Sequence, residues 1–221
     1  MVSTNEVAAG KRLKSLDFFR GATVAAMILV NNPGSWSHIY GPLEHAAWHG
    51  WTPTDLIFPF FLFIVGVSIV LAFTKARAKG AENHDLMKKT LIRAAKIFGL
   101  GLVLATFPFI KFNPEFGLYK ALADVRIPGV LQRIALCYAI GAALFLYTRP
   151  KTQILTLGGL LISYWLMMMF IPVPGVGAGA INAPETNLAA YIDKLILGSH
   201  TWKENWVPEG LLSTLPAIGT T

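Results

Sequence analysis

The sequence predicts an all-α, polytopic transmembrane helical bundle, and three observations carry that prediction. Hydrophobic residues make up 54% of the chain and charged residues only 14%, where a soluble domain carries about 25% charged residues. Mean hydropathy is positive, at +0.52. Apolar stretches of about 20 residues, the length that crosses a bilayer as a helix, recur along the chain, and Lys and Arg are bunched between them. The net charge of +7 therefore reads as an orientation signal. Nucleic acid is excluded as a partner, because no basic stripe with interleaved aromatics occurs. The sole cysteine, Cys137, has no second cysteine with which to form an internal disulfide.

A polar arm over residues 1–16 opens the chain, and a single membrane domain over 17–221 follows. The first apolar run, 17–36, has no small-residue cleavage site and reads as a retained span rather than a secretory signal. The second, 52–74, begins with a capping box, Thr52-Pro53-Thr54-Asp55. Thr52 is suited to accept from the first free amides, Pro53 fits the first helical position, and Asp55 sits in the positive end of the helix dipole. Further spans are expected over 90–110, 127–148 and 153–172. A sixth begins near Glu209 and is cut off at Thr221, too short to cross. The expectation is five complete spans plus the start of a sixth, truncated at the C-terminus. The 173–208 loop opens with Pro and Gly, then reads as a short amphipathic helix near 186–197, with Trp202 and Trp206 suited to an interfacial belt.

Orientation follows from the loops. The arm (Lys11, Arg12, Lys14), the 75–93 segment and the 149–151 turn carry eleven Lys and Arg, against five on the opposite side, where Lys111, Lys120, Arg126, Lys194 and Lys203 lie. This places the N-terminus in the cytoplasm and the 37–51 loop, which has no Lys or Arg, outside.

Polar groups within spans are costly and mark candidate sites. Asp17 and Arg20 share one face of the first span as a local ion pair with snorkelling. Asn31 and Asn32, followed by Pro33-Gly34, either unwind the end of that span or position a ligand beside the outer loop. Arg133 lies beside Gln132, about 7–8 Å into the fourth span, and is expected to face a cavity and pair with Asp55. The cluster Lys88, Lys89, Arg93 and Lys96 serves orientation or docks a polyphosphate such as coenzyme A. His45 and His49 are four apart in the outer loop, with Trp48, Gly50 and Trp51 around them and no carboxylate cluster. No metal site is expected there. A histidine in such a loop suits acid–base or nucleophilic work near neutral pH. His38 reads as a plain loop residue.

Several segments together resemble the family of heparan-α-glucosaminide N-acetyltransferase and its bacterial relatives. They are Arg12-Leu-Lys-Ser-Leu-Asp17-Phe-Phe-Arg20-Gly21, Asn31-Asn32, His45-Ala-Ala-Trp48-His-Gly50-Trp-Thr-Pro-Thr-Asp55-Leu-Ile-Phe58-Pro59, Arg126-Ile-Pro-Gly-Val-Leu-Gln-Arg133-Ile-Ala and Pro208-Glu-Gly-Leu-Leu-Ser-Thr-Leu-Pro-Ala. The resemblance implies transmembrane acetylation, with acetyl-CoA as co-substrate on the cytoplasmic side and the amine of a glucosamine-type sugar as acceptor outside. It implies that His45 is catalytic, through an acetyl-histidine or as general base. Asn31, Asn32, Asp55, Arg133 and His49 are the supporting groups, and Lys88, Lys89, Arg93 and Lys96 the candidate coenzyme contacts.

Family members continue for several more helices, so the chain corresponds to their first half to two-thirds and is expected to be inactive alone. The lysosomal branch carries a large luminal domain before its first span where this chain has sixteen residues. A bacterial amino sugar or cell-wall fragment, met at the inner membrane, is thus the expected acceptor. The other expected partners are the lipid bilayer and further copies of the chain as a homo-oligomer. The rival reading is an amino-sugar transporter or permease whose intramembrane polar residues line a path. A membrane scaffold, tolerant of changes at all these positions, ranks below both.

Overall fold

In the computed structural model, residues 13–107, 125–201 and 207–221 are described. The described residues are helical, with one isolated bridge between Val173 and Gly177. Two compact units divide the chain, one of residues 1–86 with 220–221 and one of residues 87–219.

The first unit holds α1 (Lys14–Val30) and α2 (Ile57–Ala78), joined by a loop with two short 3-10 turns, Gly41–Leu43 and Pro53–Leu56. Helix α1 stops at Val30 rather than near residue 36, and the cause is local. The side-chain amides of Asn31 and Asn32 donate to the carbonyls of Met27 and Ile28 at 2.8 and 2.7 Å, adding partners to carbonyls of the last turn. Pro33 then lacks a donor, and Gly34 turns the chain with φ of +76°.

Helix α2 begins beyond the capping box, with Pro59 in its first turn, where a missing N–H costs nothing. It packs on α1 through Phe19 and Phe60, whose tilted rings lie 5.3 Å apart. Arg20 donates to Ser68 of α2 at 2.8 Å, while its separation from Asp17 is 3.9 Å. The expected ion pair thus accompanies a shorter bond between the two helices.

The second unit holds most of α3 (Asn83–Thr106), with α4 (Val130–Tyr147), α5 (Pro150–Phe170), α6 (Leu188–Leu197) and nearly all of α7 (Thr214–Thr220). Helix α4 contributes the most buried side chains of these, Gln132, Arg133, Ile134, Ala135, Cys137, Ala142 and Leu146. By contrast, Met168 is the one buried side chain of α5. Helix α6 is started by Asn187, whose side-chain oxygen accepts from the Ala190 amide at 3.0 Å. Its Leu188 packs with Met168, Val173 and Leu212 against the C-terminal end of α5.

Among the described residues, three helices are long and apolar enough to cross a membrane, over Pro53–Ala78, Val130–Tyr147 and Pro150–Phe170. Helix α1 has 17 residues, a rise of about 25 Å against a hydrocarbon core of about 30 Å. Helix α3 carries Lys88, Lys89, Arg93 and Lys96 in its N-terminal half. Residues 207–213 form turns before the short α7, where a sixth span was expected to start. Lys11, Arg12, the last residues of the third expected span, Lys111, Lys120, Trp202, Lys203 and Trp206 lie outside the described residues.

Candidate active site

The strongest juxtaposition of reactive groups lies in the first unit, where the 41–55 loop feeds α2. Asp55 closes a capping box opened by Thr52, and both halves of the box are present. Its Oδ2 accepts the Thr52 amide at 2.9 Å and the Ala46 amide at 3.1 Å. The Thr52 hydroxyl, 2.7 Å from the Glu44 carbonyl and 3.1 Å from Oδ2, ties the strand of loop carrying His45 to the helix start. Held this way, Asp55 presents Oδ1 to His45 Nδ1 at 2.6 Å.

An ionised carboxylate only accepts, so Nδ1 carries the proton, and Nε2 is the nitrogen that bears the lone pair in the neutral imidazole. The imidazole is exposed, at 69% of its side-chain surface, while the carboxylate is more sheltered, at 28%. The arrangement is a nucleophile or base oriented by a carboxylate, with its reactive nitrogen open to a second molecule. Gly50, with φ of +87°, turns the chain back between Trp48 and the capping box. An apolar crevice of about 290 Å³ opens below the loop between α1 and α2, with Phe19, Thr23, Leu43, Pro53 and Phe60 among its walls.

His49 is exposed, and its ring meets Trp48 edge-on with centroids 6.4 Å apart. Asn31 and Asn32 spend their amide donors on the end of α1. Among the described residues no hydrogen bond joins either of them to His45 or Asp55. The structure thus brings His45 and Asp55 together, and it gives the two asparagines a helix-ending role. Among the described residues, no three His, Cys, Asp or Glu side chains converge as metal ligands would.

Arg133 sits in the second unit and is engaged there, while Asp55 spends both oxygens in the first. The Arg133 Nη2 donates to the carbonyls of Pro208 at 2.9 Å and Gly210 at 3.2 Å, and to the Ser213 hydroxyl. Its neighbour Arg126 pairs with Glu209 and donates from Nε to the Pro128 carbonyl at 2.7 Å. Asp193 on α6, 1% exposed, accepts the Leu211 amide at 2.8 Å. Burial raises the Asp193 carboxyl above its ordinary range, opposed by the Leu211 amide and the positive charge of Arg133. Sequence reasoning missed Asp193, Glu209 and Ser213. The available signal for Asp193 was an acid on the apolar face of an amphipathic helix.

Three membrane-capable helices among the described residues, with a carboxylate-oriented histidine exposed at the start of one of them, define a class: a helical membrane protein with groups suited to acid–base or nucleophilic chemistry. The particular family follows from comparison. Residues 12–191 match the family described as heparan-alpha-glucosaminide N-acetyltransferase, catalytic, and the chain belongs to that family. It is similar to the heparan-alpha-glucosaminide N-acetyltransferase of Homo sapiens, 32% identical over 256 residues, covering 94% of this chain and 36% of the relative. To the Mus musculus enzyme of the same name it is 31% identical over 255 residues, covering 95% of this chain and 37% of the relative. The chain thus spans a little over a third of the length of these curated relatives.

Proposed function

We propose that the chain carries the acetyl-transfer centre of a membrane N-acetyltransferase, moving acetyl from cytoplasmic acetyl-CoA to the amine of a glucosamine-type sugar on the other side, in a bacterial inner membrane. The observation that carries this reading is the 2.6 Å contact between His45 Nδ1 and Asp55 Oδ1, which leaves Nε2 free in an exposed loop. The family relationship supports the reaction class.

In the covalent route, the acetyl thioester is passed through the membrane domain from the cytoplasmic side to the His45 loop, Nε2 attacks its carbonyl, the carbon–sulfur bond breaks, and the thiolate leaves. The acetyl-imidazolium so formed is stabilised by Asp55 through the Nδ1 proton. The amine then attacks the acetyl carbon, the carbon–nitrogen bond to imidazole breaks, and the amine's proton is released. In the direct route, the same nitrogen takes the proton from the attacking amine. Both routes need Nδ1 occupied and Nε2 bare, as Asp55 arranges.

The test uses the full-length protein in liposomes, with radiolabelled acetyl-CoA on one side and glucosamine on the other. Wild type should form labelled N-acetylglucosamine, and His45→Ala should lose it by roughly 10²–10⁴-fold. Label retained on acid-quenched wild type and absent from His45→Ala would select the covalent route. Passage of unmodified glucosamine in both proteins, without acetylation, would make the protein a carrier and overturn the reading.

A further inference from the structure

We propose that the exposed face of α3 is a binding surface for anionic phospholipid, with headgroups on its basic half and acyl chains along its apolar half. Helix α3 has two clearly different sides. Leu86, Thr90 and Ala94 recur at four-residue intervals and are buried, and Gly101 continues that face against the side chain of Gln132. Flanking that face, about 100° round the helix, runs an exposed stripe at three- and four-residue spacing, Lys89, Arg93 and Lys96, with Lys88 alongside. Among the described residues none of these four cations has an ion-pair partner.

The stripe does not end with the charges. It continues through Leu100 and Val103, with Leu104 beside them, exposed by 54%, 50% and 58%. From Lys89 to Leu100 the helix rises about 16 Å. Over that distance the surface passes from cationic to purely apolar. Water favours the first half and disfavours the second, and a free polyphosphate uses the first half alone. A phospholipid with a net negative headgroup matches both, because its phosphate and its chains succeed one another along the bilayer normal in the same order. Arginine offers a fork to phosphate oxygens, and lysine stems cover apolar surface while their ammonium groups reach the headgroups.

The experiment is lipid selectivity in reconstituted full-length protein. Spin-labelled phosphatidylglycerol and spin-labelled phosphatidylcholine are compared in phosphatidylcholine vesicles, reading the motionally restricted fraction by electron paramagnetic resonance. Wild type should hold phosphatidylglycerol at least about twofold more strongly than phosphatidylcholine, with the preference weakening as salt is raised. Substituting Lys88, Lys89, Arg93 and Lys96 together by Gln should bring the ratio towards one. The Lys88→Arg, Lys89→Arg, Lys96→Arg triple variant should keep it, which separates lost charge from lost folding.

Equal association of the two lipids with wild type would overturn the proposal, as would an unchanged ratio in the Gln variant. Displacement of phosphatidylglycerol by added coenzyme A, with no selectivity left, would also overturn it, assigning the surface to a soluble polyphosphate.

Discussion

Asp55 does two jobs with one carboxylate. Its Oδ2 takes the amides of Thr52 and Ala46, which closes the start of α2 and draws the 44–46 strand of loop against it. Its Oδ1 takes the imidazole of His45. Substitution by Asn keeps the size but introduces an NH₂ group that has to face either two amide donors or the Nδ1 proton, so one of the two jobs fails. The negative charge that stabilises an imidazolium or acetyl-imidazolium is lost in either case. Asp55→Asn should therefore lower kcat by about 10²-fold or more with a smaller change in KM. Asp55→Glu moves the carboxylate outward by a methylene and should be nearly as damaging. Steady-state kinetics on the reconstituted variants checks both. Thr52→Val, which removes the hydroxyl bridge to the Glu44 carbonyl, should cost stability by about 1 kcal/mol while leaving the imidazole contact formed. A lower melting temperature with near-normal kcat is the expected result.

At the scale of elements, the 207–213 segment is fastened to α4 and α6 by polar groups that sequence order keeps far apart. Arg133 holds the carbonyls of Pro208 and Gly210, and Asp193 holds the amide of Leu211. Gly210 permits this, because a Cβ there would overlap the Asp193 carboxylate. Asp193 is 1% exposed and has nowhere to retreat. Gly210→Ala should therefore break the Leu211 contact and destabilise the protein by about 1–3 kcal/mol, read as earlier thermal unfolding in detergent.

The same carboxylate predicts a pH dependence with a definite sign. Burial, the largest influence, raises its folded pKa above the ordinary 3.8. The folded state therefore binds the proton more tightly than the unfolded one. Its contribution to stability is full below 3.8 and is lost as pH rises through the folded value. Asp193→Asn keeps an acceptor for Leu211 and should flatten that part of the stability profile, measured by melting temperature against pH.

These contacts also mark where the sequence stops being legible. Asn31-Asn32-Pro33-Gly34 announced a helix end, and the Thr52–Asp55 pattern announced a helix start, because capping chemistry is local. His45 and Asp55 were both singled out, yet their contact depends on how ten residues of loop fold back, through the positive φ of Gly50 and the Thr52 hydroxyl on the Glu44 carbonyl. Arg133 was recognised as an intramembrane cation and expected to seek Asp55. Its observed acceptors are mostly backbone carbonyls some 75 residues away, and carbonyls have no residue-type signature to read.

At the scale of the molecule, acetyl transfer across a membrane requires the His45 loop and the basic end of the helical hairpin to face opposite compartments. The first unit alone allows a test. Helix α2 has 22 residues, a rise of about 33 Å, which matches the hydrocarbon thickness with little tilt. Its N-terminal end is tied to the His45 loop through Thr52 and Asp55. Its C-terminal end carries Lys75, Arg77 and Lys79 and runs into the turn before α3. Charges at that end resist translocation far more than the Lys- and Arg-free 37–51 loop does. Within this chain Cys137 is buried, and single cysteines introduced here are read against the same protein without them. Ser37→Cys, in the exposed loop, should react with a membrane-impermeant maleimide added outside intact cells. Glu82→Cys, beyond α2, should react only after the membrane is opened. Reversed labelling would place His45 on the side of acetyl-CoA, and the reaction would then be acetylation within one compartment. Labelling of both sites in intact cells would mean that α2 does not cross, and the membrane separation of donor and acceptor would have to be abandoned.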